Sequence, residues 1–334
     1  MSSALPIPVI APARPAHTRE ELERAFAEFL RLDVAAGDAA PATVRSYRAE
    51  VAAWVEWCEA KGIDPATATV GDIKRFRAEL VERGYRPVTI GWKLTVVRRF
   101  YEAARCAGLR PDNPVAGVRP PRVRRAAEDF KYLTADQLAR LLAAVPSPDE
   151  ATGVEQVKRL RDQLMLSLMA LHGLRTIEVH RASLEDLTER GGYTALLARG
   201  KSGQRVVFVR PDTAQILGRY VELRGEMAPD ELGTPLFVAL DRGIKGHRLS
   251  RRHIRTITDH YLHDAGLKRP GISCHALRHT AATLGYLHCG DLRAVQELLG
   301  HADPRTTARY AHVVDMAKRN PALFIPVNGK LTTT

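Results

Sequence analysis

Four runs of apolar residues between positions 18 and 113 repeat at intervals of three and four, and this spacing limits the fold more than any other feature. Such intervals place side chains on one face of an α-helix. Thr18 and Glu21 form a capping box at the start of the first run. Later runs begin after Pro41 and at Pro87, and short turns separate them. We therefore predict a small domain of four helices over residues 18–113.

The second half of the chain combines helical runs with two strand-like runs. The strand-like runs, Tyr193–Arg199 and Arg205–Val209, flank a glycine-bearing turn and predict a β-hairpin. The predicted fold class is mainly α with a small antiparallel β-sheet in the second domain. The predicted segments are a flexible N-terminal arm at 1–17, the helical domain at 18–113, a basic linker at 114–132, the second domain at 133–325 and a tail at 326–334.

The composition favours a polyanionic partner. The 334 residues include 50 lysines and arginines against 38 aspartates and glutamates, a net charge of +12. No apolar run approaches the roughly 20 residues that cross a bilayer, so we expect no membrane association. The N-terminus lacks a secretion-signal pattern, and the four cysteines contain no CxxC pair. We therefore expect a cytoplasmic protein with reduced thiols.

Basic residues concentrate where the first domain ends. From Arg83 to Arg110 seven basic residues stand against one acid, Glu102. The following stretch, Arg119–Arg125, is cationic and stiffened by prolines. We interpret both as surfaces that face a nucleic-acid backbone, and a solvated helix face without a ligand is the alternative for the first.

One cluster of histidine and arginine suits phosphate chemistry. His275, Arg278 and His279 follow the i, i+3, i+4 spacing and project from nearly one helix face. A guanidinium repels metal ions but binds two phosphate oxygens, and imidazole moves a proton near neutral pH. The common nucleotide, dinucleotide and metal motifs do not occur, so no cofactor or metal is expected. A structural cluster is the alternative reading of this spacing.

Six residues along the second domain follow one order: Arg175, Lys201, His275, Arg278, His301 and Tyr310. They lie in the segments GLRTIEV, RGKSG, HALRHT, LLGH and TARY. This order resembles the tyrosine recombinase family, the phage-integrase and Xer-type enzymes, over residues 18 to 320. The resemblance implies a SAM-like core-binding domain followed by a catalytic domain, arranged as a C-shaped clamp around duplex DNA.

The resemblance also implies a reaction. Tyr310 would attack the scissile phosphate, which leaves a 3′-phosphotyrosine and a free 5′-hydroxyl and conserves the phosphodiester energy without ATP. Arg175 and Arg278 would clamp the charge that develops on the phosphate oxygens. Lys201 would act as the general acid that protonates the departing oxygen.

Two histidines complete the implied site. His275 would be the general base for the phenol and His301 a hydrogen-bond donor to the phosphate, although which imidazole moves the proton stays open. Glu178, one turn after Arg175, is interpreted as a buried partner that orients its helix rather than as a catalytic group.

The implied partners are double-stranded DNA recombination sites and further protomers. Four protomers, identical or including a related recombinase, would assemble on two sites, and the segment from Asp315 to Pro326 would dock in a neighbour. A type IB topoisomerase, a telomere resolvase and a non-catalytic basic DNA-binding protein are the alternatives. The choice among chromosome-dimer resolution, phage or transposon integration, plasmid resolution and inversion stays open.

Overall fold

The chain divides after Arg125 into two compact units. The structure, a computed structural model, describes residues 17–122, 131–200, 203–227, 235–241, 246–301, 303–308 and 310. The predicted tail, the arm before His17, the segment from Asp315 to Pro326 and Lys201 lie outside the described residues. The predicted domain boundaries stay predictions.

The first unit contains the four predicted helices. Their bounds are α1 Arg19–Leu32, α2 Pro41–Ala60, α3 Val70–Glu82 and α4 Pro87–Cys106, with a 3₁₀ turn at Val34–Gly37. The capping box at Thr18 is present, with the Thr18 side chain accepting from the Glu21 amide. A proline occupies the first turn of α2 and of α4, where its missing N–H costs no hydrogen bond.

Aromatic residues form the centre of this unit. Trp54 is fully buried, and its Nε1 donates to the Tyr101 hydroxyl at 3.1 Å. That hydroxyl in turn donates to the Pro65 carbonyl at 2.9 Å, so the buried polar atoms of both rings are bonded. Val115 and Val118, placed in the linker from sequence, are buried in the same core.

Part of the basic surface predicted between Arg83 and Arg110 holds the first unit together. Arg98 donates to the carbonyls of Val115 and Val118, and Arg110 donates to two further backbone carbonyls. Both guanidinium groups therefore bond within the unit, and the prediction of a phosphate-facing surface rests on the other basic residues of this stretch.

The second unit consists of helices around a small sheet. The helices are α5 Ala135–Ala143, α6 Gly153–Ala170, α7 Thr176–Arg181, α8 Pro211–Met227, α9 Arg251–Asp264, α10 Cys274–Cys289 and α11 Leu292–Leu299. Helix α6 is the central one, and Leu160, Leu164 and Leu168 on it are fully buried. None of the helices in the described part of the chain is long and apolar enough to cross a membrane.

The sheet has three antiparallel strands in the order β1-β2-β3, with β1 Leu187–Arg190, β2 Tyr193–Arg199 and β3 Gln204–Phe208. The predicted hairpin is β2 and β3, which pair with Leu197 opposite Val206. Strand β1 is additional to the sequence prediction. Gly191 and Gly192, both at positive φ, join β1 to β2 as a two-residue hairpin turn requires. The predicted fold class is confirmed.

Candidate active site

A loop and a short helix position the first arginine of the site. Gly173, at a φ of 67°, turns the chain after α6, and Arg175 then forms the N-cap of α7. Glu178 accepts from the Arg175 amide and from Arg175 Nη1, both at 2.8 Å. Its side chain is 2% exposed. The interpretation of Glu178 as a buried partner of this helix is confirmed.

Two more guanidinium groups share the Glu178 carboxylate. Arg278, on α10, has Nη1 3.9 Å from Glu178 Oε2, and Arg205, on β3, has Nη2 3.0 Å from the same oxygen. Arg278 also donates to the carbonyls of Gly173 and Leu299. Elements that are far apart in sequence thus bring three cations to one anion.

The electrostatics of this cluster favour an anion. Burial and then the charge of Arg175 lower the pKa of Arg278 to about 9, which leaves it protonated at neutral pH. Burial also lowers the pKa of Arg205, and its Nε and Nη1 are buried without a hydrogen-bond partner in the described residues. The side chain of Arg175 is 33% exposed, so its guanidinium can be reached from solvent. An excess of fixed positive charge beside the partly exposed Arg175 favours the binding of a phosphate group.

The phenol of Tyr310 lies inside the second unit. The residue is 2% exposed and packs against a small apolar cluster formed by Ala282, Tyr286, Val295 and Leu299 of helices α10 and α11. Its hydroxyl lies 2.9 Å from Nδ1 of His279. Leu299 connects the phenol to the cationic cluster, because its carbonyl accepts from Arg278 while its side chain packs in the cluster that holds Tyr310.

His301 lies beside the Tyr310 ring. The two rings are stacked with centroids 6.5 Å apart and an interplanar angle of 7°. His301 Nδ1 is 2.9 Å from the buried Thr307 hydroxyl. Burial and then the charge of Arg278 lower the pKa of His301 to about 4. The imidazole is therefore neutral at pH 7.

Five of the six predicted site residues are described, and most of them are connected through shared neighbours in the second unit. Arg175 and Arg278 share Glu178, His301 stacks on Tyr310, and the ring of His275 lies 4.4 Å from that of His279. The sixth, Lys201, falls outside the described residues.

The stem of the hairpin beside Lys201 does reach the site. A Cβ on Gly200 would lie 3.3 Å from Glu178 Oε1, and the Gly200 amide donates to the Gly203 carbonyl at 2.8 Å. In the part of the chain that is described, no group of three or more metal-ligating side chains is arranged to hold an ion.

Sequence reasoning missed two contacts of the site. The contact of Arg205 with Glu178 was not predicted, although the place of Arg205 directly after the hairpin turn was a usable signal. His279 was identified as part of the helix-face cluster, but its contact with the phenol depends on how residue 310 folds back onto α10. The spacing of residues within one helix cannot reveal such a contact.

The matches to known families divide the chain into the same two parts as the compact units. Residues 131–316 match the phage integrase family, and residues 25–108 match the N-terminal SAM-like domain of phage integrases. The tyrosine recombinase XerD of Brucella suis biovar 1 (strain 1330) is 31% identical over 295 residues, which cover 87% of this chain and 93% of that protein. The tyrosine recombinase XerC of Thermodesulfovibrio yellowstonii is 31% identical over 277 residues, covering 81% and 85%.

Solved structures share the fold. The XerH site-specific recombinase in a post-cleavage complex with palindromic difH substrate aligns with a TM-score of 0.71 at 20% identity, over 91% of this chain and 83% of that one. A lambda integrase (75–356) dimer bound to a COC′ core site aligns with a TM-score of 0.62 at 16% identity, over 85% and 96%.

Proposed function

Because the chain belongs to the phage integrase family, we propose that it is a tyrosine site-specific recombinase, which cleaves and rejoins DNA strands through a 3′-phosphotyrosine. One observation carries the proposal. The hydroxyl of Tyr310 lies in the same unit as two arginines that share a buried carboxylate. Leu299 belongs to the apolar cluster that holds the Tyr310 ring, and its carbonyl accepts from Arg278. A nucleophile beside fixed cations is what transesterification at a phosphate requires.

In the proposed reaction the nucleophile forms the new bond and the cations stabilise the charge. Tyr310 Oη attacks phosphorus, a bond forms between them, and the bond from phosphorus to the 5′-oxygen breaks. Negative charge develops on the non-bridging oxygens during this step. Arg175 and Arg278 remain protonated and stabilise that charge, a task that divalent cations perform in other phosphoryl-transfer enzymes. The free 5′-hydroxyl of a partner strand then reverses the reaction and completes the exchange.

The remaining predicted residues handle protons and orientation. Lys201 is proposed to protonate the departing 5′-oxygen, and His275 is the base that the resemblance implies. His301 is proposed to donate a hydrogen bond to the phosphate. In the tautomer whose Nδ1 accepts from the Thr307 hydroxyl, the proton of the neutral His301 ring lies on Nε2, which makes that atom a donor.

The proposed partners are duplex DNA and further copies of the chain. A net charge of +12 supports a DNA partner. Among structures that share the fold, lambda integrase was solved as a dimer on a core site and as a tetramer bound to a Holliday junction. We propose a tetramer on two sites, with the two units clamping the duplex and the segment after Tyr310 docking in a neighbour.

A nicked suicide substrate tests the proposed function. The cognate DNA is first obtained by sequencing DNA that stays covalently attached to the protein after denaturation. A nick placed near the cleavage point lets a short fragment diffuse away and traps the covalent adduct. We expect an adduct with the wild type and with Tyr193→Phe, whose exposed ring lies on the sheet. We expect none with Tyr310→Phe, which should still bind the DNA.

The opposite pattern overturns the proposal. An adduct that persists in Tyr310→Phe assigns the nucleophile to another residue. Binding without any adduct in the wild type favours a non-catalytic DNA-binding protein.

A further inference from the structure

The hydrogen bond between His279 and Tyr310 assigns a role to a residue outside the six predicted ones. We propose that His279 is the immediate acceptor of the phenolic proton, in place of His275. This inference rests on the proposed function, because it concerns the proton that Tyr310 loses when it attacks phosphorus.

The geometry around the hydroxyl supports this assignment. Tyr310 Oη lies 2.9 Å from His279 Nδ1, within the range required of a general base. The Tyr310 ring is held by the apolar cluster, so its hydroxyl meets His279 in a fixed direction. With the hydroxyl donating, Nδ1 is the unprotonated nitrogen of the imidazole and can receive the proton.

The other side chains of the site are less suited to accept the phenolic proton. His275 lies one helical turn before His279 and is exposed, whereas His279 is only partly exposed. His301 uses its Nδ1 with Thr307. Arg278 carries donors only and cannot accept a proton at neutral pH. His279 thus contacts the phenol, while His275 lies one helical turn away at an exposed position of α10.

The proton balance of the step is complete. As the bond between Tyr310 Oη and phosphorus forms, the phenolic proton passes to His279 Nδ1. As the bond to the 5′-oxygen breaks, that oxygen takes a proton from the general acid, proposed as Lys201. In the rejoining step His279 returns its proton to the phenol, and the acid recovers its own from the attacking 5′-hydroxyl.

Single-turnover cleavage of the suicide substrate tests the assignment. His279→Ala is expected to slow cleavage by about 10²- to 10⁴-fold, the usual contribution of a general base, with DNA binding retained. Added imidazole should recover part of the lost rate, which it would not do for a residue that only supports the fold. His263→Ala, at an exposed position of α9, is the matched control and should cleave at the wild-type rate.

A second substrate separates the two proton transfers. Sulfur in place of the bridging 5′-oxygen leaves without needing a proton, so a variant that lacks the general acid recovers on this DNA. His279→Ala is expected to keep its defect, because the phenol must still lose its proton. Full recovery of His279→Ala on the sulfur substrate would make His279 the acid and overturn the inference.

Two further variants complete the test. His279→Asn keeps a polar atom near the position of Nδ1 without a titratable group, so a folded but slow Asn variant supports the assignment even if the Ala variant unfolds. If His275→Ala loses cleavage while His279→Ala retains it, the base is His275 and the inference is wrong. If the wild type forms no adduct at all, it is the proposed function that fails.

Discussion

Removing the charge of Glu178 tests whether one carboxylate holds the cationic cluster together. Glu178→Gln keeps the size of the side chain and an acceptor oxygen but deletes the negative charge. Arg175, Arg205 and Arg278 would then repel one another without a counter-charge, and the side chains of Arg205 and Arg278 are only 12% and 2% exposed. Water therefore cannot screen them well.

The burial of these ion pairs determines how much unfolding free energy the Glu178→Gln variant should lose. Breaking a buried ion pair by removing one partner costs about 3–5 kcal/mol, because it leaves an uncompensated charge. With an m-value of about 2 kcal/mol/M, this lowers the urea midpoint of the second unit by roughly 1.5–2.5 M. Glu297→Gln breaks an exposed pair with Arg293 on α11 and should cost less than about 1 kcal/mol.

The distribution of tryptophan provides an internal control for the assay. All three tryptophans, Trp54, Trp57 and Trp92, lie in the first unit. Tryptophan fluorescence therefore follows the unfolding of the first unit, whereas circular dichroism at 222 nm follows both units. Glu178→Gln should shift the dichroism transition and leave the fluorescence transition in place. A shift below about 0.5 M by dichroism, or an equal shift by both probes, refutes the reasoning.

Three further perturbations have distinct expected results. Gly300→Ala places a Cβ 2.4 Å from Arg205 Cδ at a φ of +61°, so it should displace Arg205 and slow cleavage. Gly266→Ala, at a φ of +66° with only Arg140 Nη2 nearby at an ordinary contact distance of 3.9 Å, should cost only about 1–2 kcal/mol by urea unfolding. Burial and a neighbouring arginine lower the pKa of His301 from 6.5 to about 4. Between those pH values the unfolded chain binds a proton that the folded chain does not, so stability should rise with pH over this window and rise less in His301→Gln; parallel midpoint curves would contradict this. Arg110→Ala leaves two carbonyls without their donor and should lower the free energy of unfolding of the first unit, followed by fluorescence, by about 1–3 kcal/mol. An unchanged fluorescence midpoint would count against a structural role for Arg110.

The helices were predictable from sequence because their signals are local. The apolar period and the capping box at Thr18 appear in adjacent residues, and the structure has both. Strand β1 was missed because Leu187–Arg190 is a short edge strand with one partly buried residue and three exposed ones. Its only signal was the pair Gly191 and Gly192, which lies in the turn rather than in the strand.

The sequence predicts the candidate site as a set of residues but not as a set of contacts. The order of the six residues indicated the family, and the position of Glu178 one turn after Arg175 indicated their pairing. The contact of Arg205 with Glu178 spans 27 residues, and that of His279 with Tyr310 spans 31. Contacts of this range depend on how β3 and the chain after α11 pack, which no local pattern encodes.

The shared carboxylate has a consequence for which state of the DNA the protein favours. Three guanidinium groups around one carboxylate leave a surplus of two positive charges within this group of four side chains. An intact phosphodiester carries a single negative charge, whereas the five-coordinate phosphorus formed during strand transfer carries two. The charge of this group therefore matches the five-coordinate phosphorus better than the intact phosphodiester. Binding energy increases the reaction rate when it stabilises the transition state more than the unreacted substrate.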